Sequence, residues 1–312
     1  MIWPISLLPF FAPSQVPIPT VPVKTGLDTG VLPRQWPAYS QCSDGPLPAP
    51  WVVHEYNADL TILRQSGCTD YEQPFLYLLF GREKALLLDS GSRNGNVVLG
   101  VGDVLGEREW AGAVVVAHTH GHWDHVWGDE ELKEAGYTVI PATVEANAAY
   151  FNISDYFGVV DLGDRPIDVI AIPGHEEASL AFYDHRMGIL FSGDSVYPGR
   201  IYVPLPAWAD FVASNTRLVE YTKDKRVTHI LGAHIEQSRT PYVDYPIGTV
   251  YQPEEHELEL GRAALLEMQD ALQGLEGPER VYMRDYTIWP VERGVNVSVS
   301  DALRHATEQE EL

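Results

Sequence analysis

The stretch His118-Thr119-His120-Gly121-His122-Trp123-Asp124-His125 follows the apolar run Ala113–Ala117 and leads into a helical pattern over residues 125–135. The apolar run reads as a buried strand, so the histidines stand in the turn where that strand stops. Residues two apart in extended chain share a face, which lets His120 and His122 point to one side. Asp124 and His125 then open the helix and can serve a second centre. Three imidazoles and a carboxylate within residues 120–125 form an expensive cluster unless something cationic sits among them, and imidazole is the commonest metal ligand.

Working outward, four more polar residues stand where apolar runs end. Asp89 closes Leu86-Leu87-Leu88, His175 follows Ile172-Pro173-Gly174, Asp194 follows Phe191-Ser192-Gly193, and His234 follows Leu231-Gly232-Ala233. Any one alone reads as a turn aspartate or a surface histidine. Together with the cluster they form one repeated pattern of strand, small residue, then donor. Short β-type runs at 52–56, 60–64, 75–80 and 85–89 predict an antiparallel meander. Further strand-like runs at 113–117, 139–140, 167–172, 180–183, 188–191 and 228–231 alternate with helices predicted at 125–135, 143–150, 210–223 and 254–275, the last running through Gly261. This order predicts two sheets with helices outside.

On these residues the sequence resembles the metallo-β-lactamase-fold hydrolases over about residues 50–235. The resemblance implies an α+β fold, the four-layer αββα sandwich of two mixed β-sheets flanked by helices. It implies two divalent metal ions: His120, His122 and His175 on one, Asp124, His125 and His234 on the other, and Asp194 bridging both. Asp89 would orient the cluster rather than bind metal. Five imidazoles and two carboxylates without a thiolate suit zinc, with iron and manganese also compatible. Such a pair lowers the pKa of a shared water, so a metal-bridging hydroxide is available near neutral pH. Asp124 would also manage its proton, making it the catalytic candidate.

The complete donor set speaks against antibiotic hydrolysis, where Cys or Ser usually replaces Asp194. A small-molecule ester, thioester or lactone is the expected substrate. The glutathione-binding stretch of glyoxalase-II-like enzymes is absent after Asp194. The alternatives are a mononuclear iron persulfide-type dioxygenase using the His120, His175 and Asp194 positions, and a catalytically silent binding protein of the same fold. Tyr197, Arg200, Tyr202, Tyr245 and Tyr251 are expected to contact substrate, with Arg200 able to grip a carboxylate bidentately. His118 is expected behind the site or against the sheet. His54, His185, His229, His256 and His305 are expected to be surface or satisfied residues, and Glu254-Glu255 and the acidic residues at 308–311 solvated faces.

The 312 residues carry 44 Asp+Glu against 21 Lys+Arg, a formal charge of −23, which repels polyanions and excludes nucleic acid as an expected partner. No apolar stretch is long enough for a membrane span, so no membrane partner is expected, and the sequence does not define an oligomeric state. Residues 1–50 hold 11 of the 23 prolines and no net charge. They read as a proline-rich arm with its apolar side on the body, before a hydrolase domain at 51–312. That domain divides into a motif core at 51–235 and a substrate loop, helix and tail at 236–312. The apolar segment 2–12 contains Pro4 and Pro9 and lacks a basic start, a poor match to a secretory signal. The cytoplasm is therefore favoured, with export left open. Cys42 and Cys68 are too few for a disulfide framework or a thiolate zinc site.

Overall fold

The computed structural model describes residues 26–38, 42, 48–108 and 112–292. Six strands, β1 (Trp51–Asn57), β2 (Leu60–Gln65), β3 (Phe75–Phe80), β4 (Lys84–Leu88), β5 (Ala113–Ala117) and β6 (Thr138–Val139), lie in that order in the first sheet. The meander β1 to β4 is antiparallel, and β4, β5 and β6 run parallel. Strands β7 (Phe157–Asp161), β8 (Pro166–Ala171), β9 (Leu180–Asp184), β10 (Ile189–Gly193), β11 (Arg200–Pro204), β12 (His229–Gly232), β13 (Glu259–Leu260), β14 (Val281–Tyr282) and β15 (Thr287–Val291) follow. The second sheet has the order β13-β12-β10-β9-β8-β7, with β10 and β12 parallel. A small third sheet, β11-β15-β14, was not foreseen.

The apolar runs are continuous because both faces of each sheet are covered. Leu86 and Leu88 of β4 point inward, with Ile62, Phe75 and Tyr77, onto Val169, Phe182, Ile189 and Phe191 of the second sheet. Leu87 points outward and packs with Val114 and Val116 under α1 (Val97–Glu107) and, past the short α2 (Trp123–Val126), α3 (Asp129–Glu134). After α4 (Val144–Phe151), helices α5 (Trp208–Thr222) and α6 (Arg262–Gln273) cover the other outer face, where Phe211, Leu218, Leu265 and Met268 meet Tyr183, Leu190 and Ile230. Helix, sheet, sheet, helix is the expected αββα order.

Helix α1 escaped the sequence reading because Gly100, Gly102 and Gly106 lower its propensity. It forms because Val97, Gly100, Val101 and Val104 bury one stripe and the Asn96 side chain caps Leu99 N–H at 3.3 Å. The helix expected at 125–135 is two, broken at Gly128, where a β-carbon would stand 2.5 Å from the Ser90 carbonyl oxygen. The helix expected from residue 254 begins only at Arg262, after Gly261. Ahead of it, Glu255 is not on a solvated face. It is buried and takes both terminal nitrogens of Arg64 at 2.7 Å each. The acidic residues at 308–311, His305 and the segment 2–12 lie outside the described residues.

Residues 26–38 lie on the body, with Trp36 buried edge-on against Phe75 and Asp28 N–H bonded to the Arg186 carbonyl at 3.0 Å. Cys42 and Cys68 are joined in a disulfide that ties this arm to the β2–β3 connection. Two cysteines do not make a framework, but they make this one bridge. Among the described residues no helix is long and apolar enough to cross a membrane.

Candidate metal centre

Parallel pairing sets the floor of the site. Leu88 lies beside Ala117, so Asp89 and His118 leave the first sheet side by side. In the second sheet Gly193 of β10 lies beside Gly232 of β12, so Asp194 and His234 emerge at the same edge. Gly193 has φ 51°, and a β-carbon there would stand 2.5 Å from Thr119 Cβ. Glycine lets the two sheets close on each other at this point.

All seven sequence-derived donors converge. His120 Nε2 and His175 Nε2 lie 2.9 and 3.0 Å from His122 Nδ1. Opposite them, Asp124 Oδ2 lies 3.4 Å from His125 Nε2 and 3.3 Å from His234 Nε2. Asp194 stands between, with Oδ2 3.6 Å from His175 Nε2 and Oδ1 3.5 Å from both His125 Nε2 and His234 Nε2. One carboxylate oxygen thus faces each half.

The far sides of the rings orient them. His175 Nδ1 and His234 Nδ1 donate to the carbonyls of Tyr202 and Glu72, each at 2.8 Å. His125 Nδ1 lies 2.9 Å from Asp89 Oδ2, and Asp89 also accepts Thr119 N–H at 2.7 Å and the Thr119 hydroxyl at 2.9 Å. With those protons outward, the Nε2 lone pairs face the centre. His118 stays out of it: its Nδ1 bonds the His125 carbonyl at 3.1 Å and its Nε2 lies 3.2 Å from Asp129.

The electrostatics divide the same way. Burial, followed by neighbouring imidazoles, drives His120 well below its ordinary value, and burial brings His175 down to about 4 despite Asp194. Burial also lowers His234 and His125, but Asp194 and Asp124 outweigh it, raising His234 to about 10 and His125 well above the ordinary range. Burial would raise Asp124 and Asp194, yet the imidazoles hold both well below the carboxylate range. Among the described residues, buried Asp194 Oδ1 has no hydrogen-bond partner. Imidazole nitrogens aimed at one another around two ionised carboxylates, with a buried carboxylate oxygen left unsatisfied, fit two divalent cations, one per half, which would take the place of the protons on His125 and His234.

Above the donors lies a cavity of about 550 Å³. Of the expected substrate contacts, Tyr197, Arg200 and Tyr202 line it, but Tyr245 and Tyr251 do not. The Tyr245 hydroxyl accepts Glu254 N–H at 2.8 Å, and Tyr251 is 46% exposed. Arg200 cannot grip a substrate carboxylate, because its guanidinium is committed to Glu236 at 2.9 Å, the Tyr245 carbonyl at 2.6 Å and the Tyr202 hydroxyl at 3.0 Å. Tyr197 is buried, and its hydroxyl is turned away into the Arg200 carbonyl and Glu236, either of which can take its one proton. The sequence reading missed Tyr71, Glu72 and Arg93 on the wall. Burial and then Asp124 raise Glu72 to about 8. A loop glutamate between two strands carries no local signal of such burial.

The layered fold and paired His/Asp clusters define a metallo-hydrolase type of centre at a sheet edge. The metallo-beta-lactamase superfamily model matches residues 70–261, and the chain belongs to that superfamily. Over 78 residues, 24% of this chain and 28% of the relative, it is 38% identical to the acyl-coenzyme A thioesterase MBLAC2 of Gallus gallus. Over 82 residues, 26% of this chain and 33% of the relative, it is 38% identical to a hydroxyacylglutathione hydrolase of Erythrobacter litoralis. The matched stretches thus span about a third or less of these relatives. A solved structure of TMB-1 superposes with TM-score 0.51 over 73% of this chain and 99% of that one, at 11% identity, which shows the shared fold.

Proposed function

We propose that the chain is a dinuclear, zinc-dependent hydrolase of small thioesters. The observation that carries the reading is Asp194, one oxygen directed at each of two complete donor clusters on the floor of the cavity. His120, His122 and His175 would hold one ion, and Asp124, His125 and His234 the second. When bound, the ions act as Lewis acids toward the acyl carbonyl and the attacking water. The choice of thioesters over other acyl compounds rests on the two named relatives, both thioester hydrolases.

The protein's own groups do the positioning. Asp89 and the carbonyls of Tyr202 and Glu72 keep three rings turned with Nε2 inward. Asp124, whose carboxyl is ionised, can accept a proton from the attacking water. The Tyr202 hydroxyl accepts from Arg200 Nε, which leaves its own proton free to donate into the cavity beside the acyl oxygen. The loop holding Pro246, Ile247 and Thr249 forms part of the cavity wall.

Elemental analysis combined with a panel of thioesters, esters and lactones on the same sample tests this. Two zinc equivalents per chain are expected, with thioester cleavage abolished by chelation and by Asp194→Ala. One iron per chain with oxygen uptake on a persulfide, or an inert fully metallated protein, would sink the proposal.

A further inference from the structure

Among the described residues, two guanidinium groups line the cavity and no lysine does. Arg200 is buried and committed to Glu236, the Tyr245 carbonyl and Tyr202. Arg93 is its opposite: exposed at the rim, and among the described residues no carboxylate lies within ion-pair distance and no acceptor takes its guanidinium N–H groups. In a chain of net charge −23, an arginine left without an acid at the mouth of an acid-lined cavity stands out.

Arg93 is nevertheless held in place. Its carbonyl receives Gln65 Nε2 at 2.7 Å, and the preceding Ser92 N–H is taken by Gln65 Oε1 at 2.8 Å, so a buried glutamine clamps the loop. The guanidinium lies 4.3 Å from the Trp123 ring centroid and 5.5 Å from that of Trp127. The rings hold the cation without taking its N–H groups, which can match a carboxylate or phosphate bidentately. Such pre-ordering lowers the entropy lost when an anion docks. Trp123 precedes Asp124 in the chain, so the anchored charge stands beside the candidate metal centre.

We propose that Arg93 is a specificity-determining residue that binds an oxyanion, carboxylate or phosphate, on the arm of the substrate outside the scissile bond. The inference rests on the thioester-hydrolase reading and narrows it to thioesters with an anionic arm. The acyl carbon would lie at the floor between the donor clusters, with the anionic arm running up the Trp123 wall to the rim.

The test uses the metal-loaded full chain and three S-acetyl thioesters, of 3-mercaptopropionate, 3-mercaptopropionamide and 2-mercaptoethyl phosphate. The wild type is expected to show KM at least about ten-fold lower for an anionic thioester than for the amide. Arg93→Met, which keeps cover over the tryptophans, should shrink that ratio at least about ten-fold, and Arg93→Lys should restore part of it. Arg82→Met, an exposed arginine paired with Glu83 and Asp164, serves as the control and should leave the ratio intact. A preference confined to the carboxylate or to the phosphate names the natural arm.

Equal KM for the three thioesters in the wild type, or Arg93→Met raising all three alike, overturns the inference while hydrolysis itself stands. If none is cleaved, binding of uncleavable thioether analogues is read through tryptophan fluorescence. An anionic preference lost in Arg93→Met then upholds Arg93 although the hydrolase reading has failed, and no preference overturns it.

Discussion

Replacing Asp89 by asparagine should weaken one half of the metal centre and spare the other. Asp89 is 1% exposed and accepts three hydrogen bonds, from Thr119 N–H, the Thr119 hydroxyl and His125 Nδ1. In Asp89→Asn the amide oxygen keeps Thr119 N–H, and the amide NH₂ then faces the hydroxyl and the imidazole. The hydroxyl can rotate to accept. The ring can avoid a donor–donor clash only by moving its proton from Nδ1 to Nε2, the atom that faces Asp124 and Asp194. Restoring the useful tautomer leaves an unpaired buried donor, and losing a hydrogen bond to a charged group costs about 1.5–3 kcal/mol. At about 1.4 kcal/mol per factor of ten, that is roughly a 10- to 100-fold loss of affinity at the half containing His125. Calorimetric titration of the metal-free protein with zinc should resolve two steps. One should weaken by this amount, while the step assigned to His120, His122 and His175 moves by less than about three-fold. Equal weakening of both steps, or of neither, in a variant with unchanged circular dichroism would refute the assignment of Asp89 as the support of His125.

Two further predictions concern buried charges outside the donor clusters. Glu255→Ala strands the buried Arg64 guanidinium and should cost about 3–5 kcal/mol in urea unfolding, while Arg64→Leu/Glu255→Leu should return close to wild type; a single-variant cost below about 1 kcal/mol would mean the pair is solvated after all. Asp244, between Arg200 and Thr287, is raised by burial from 3.8 to about 6, with Arg200 opposing. Its folded state therefore keeps a proton that the unfolded chain has already lost. The stability tied to that proton is fully present below about pH 4 and lost as pH climbs through about 6, a cost of about 3 kcal/mol above it. Asp244→Asn should thus gain on wild type between about pH 4 and 7 and hold that lead at higher pH. Urea midpoints measured across this range that differ by a constant amount would contradict the burial argument.

Much of the fold was legible because covered sheets write continuous apolar runs, as 85–88 and 113–117 do, and turn residues mark where they stop. Helix α1 and the strands β11 and β15 were not. Glycines mask the first, and the other two acquire their pairing from each other across 87 residues of chain, Arg200 beside Thr287 and Pro204 beside Val291. The disulfide was missed for a related reason: two cysteines in a chain of this size carry no spacing signal, and only the approach of the arm to the β2–β3 connection joins them.

The sequence by itself marked out seven candidate donors and their order, because a metal centre needs particular side-chain chemistry at strand ends, and residue type and local pattern express both. Tertiary structure alone decided which side chains are free to meet a substrate. The sequence singles out Arg200 as a substrate contact and passes over Arg93. Folding brings Glu236 and the Tyr245 carbonyl onto the first and two tryptophans under the second. Whether a charge is spent or available depends on what lies opposite it in space, and that is set by chain segments distant in sequence.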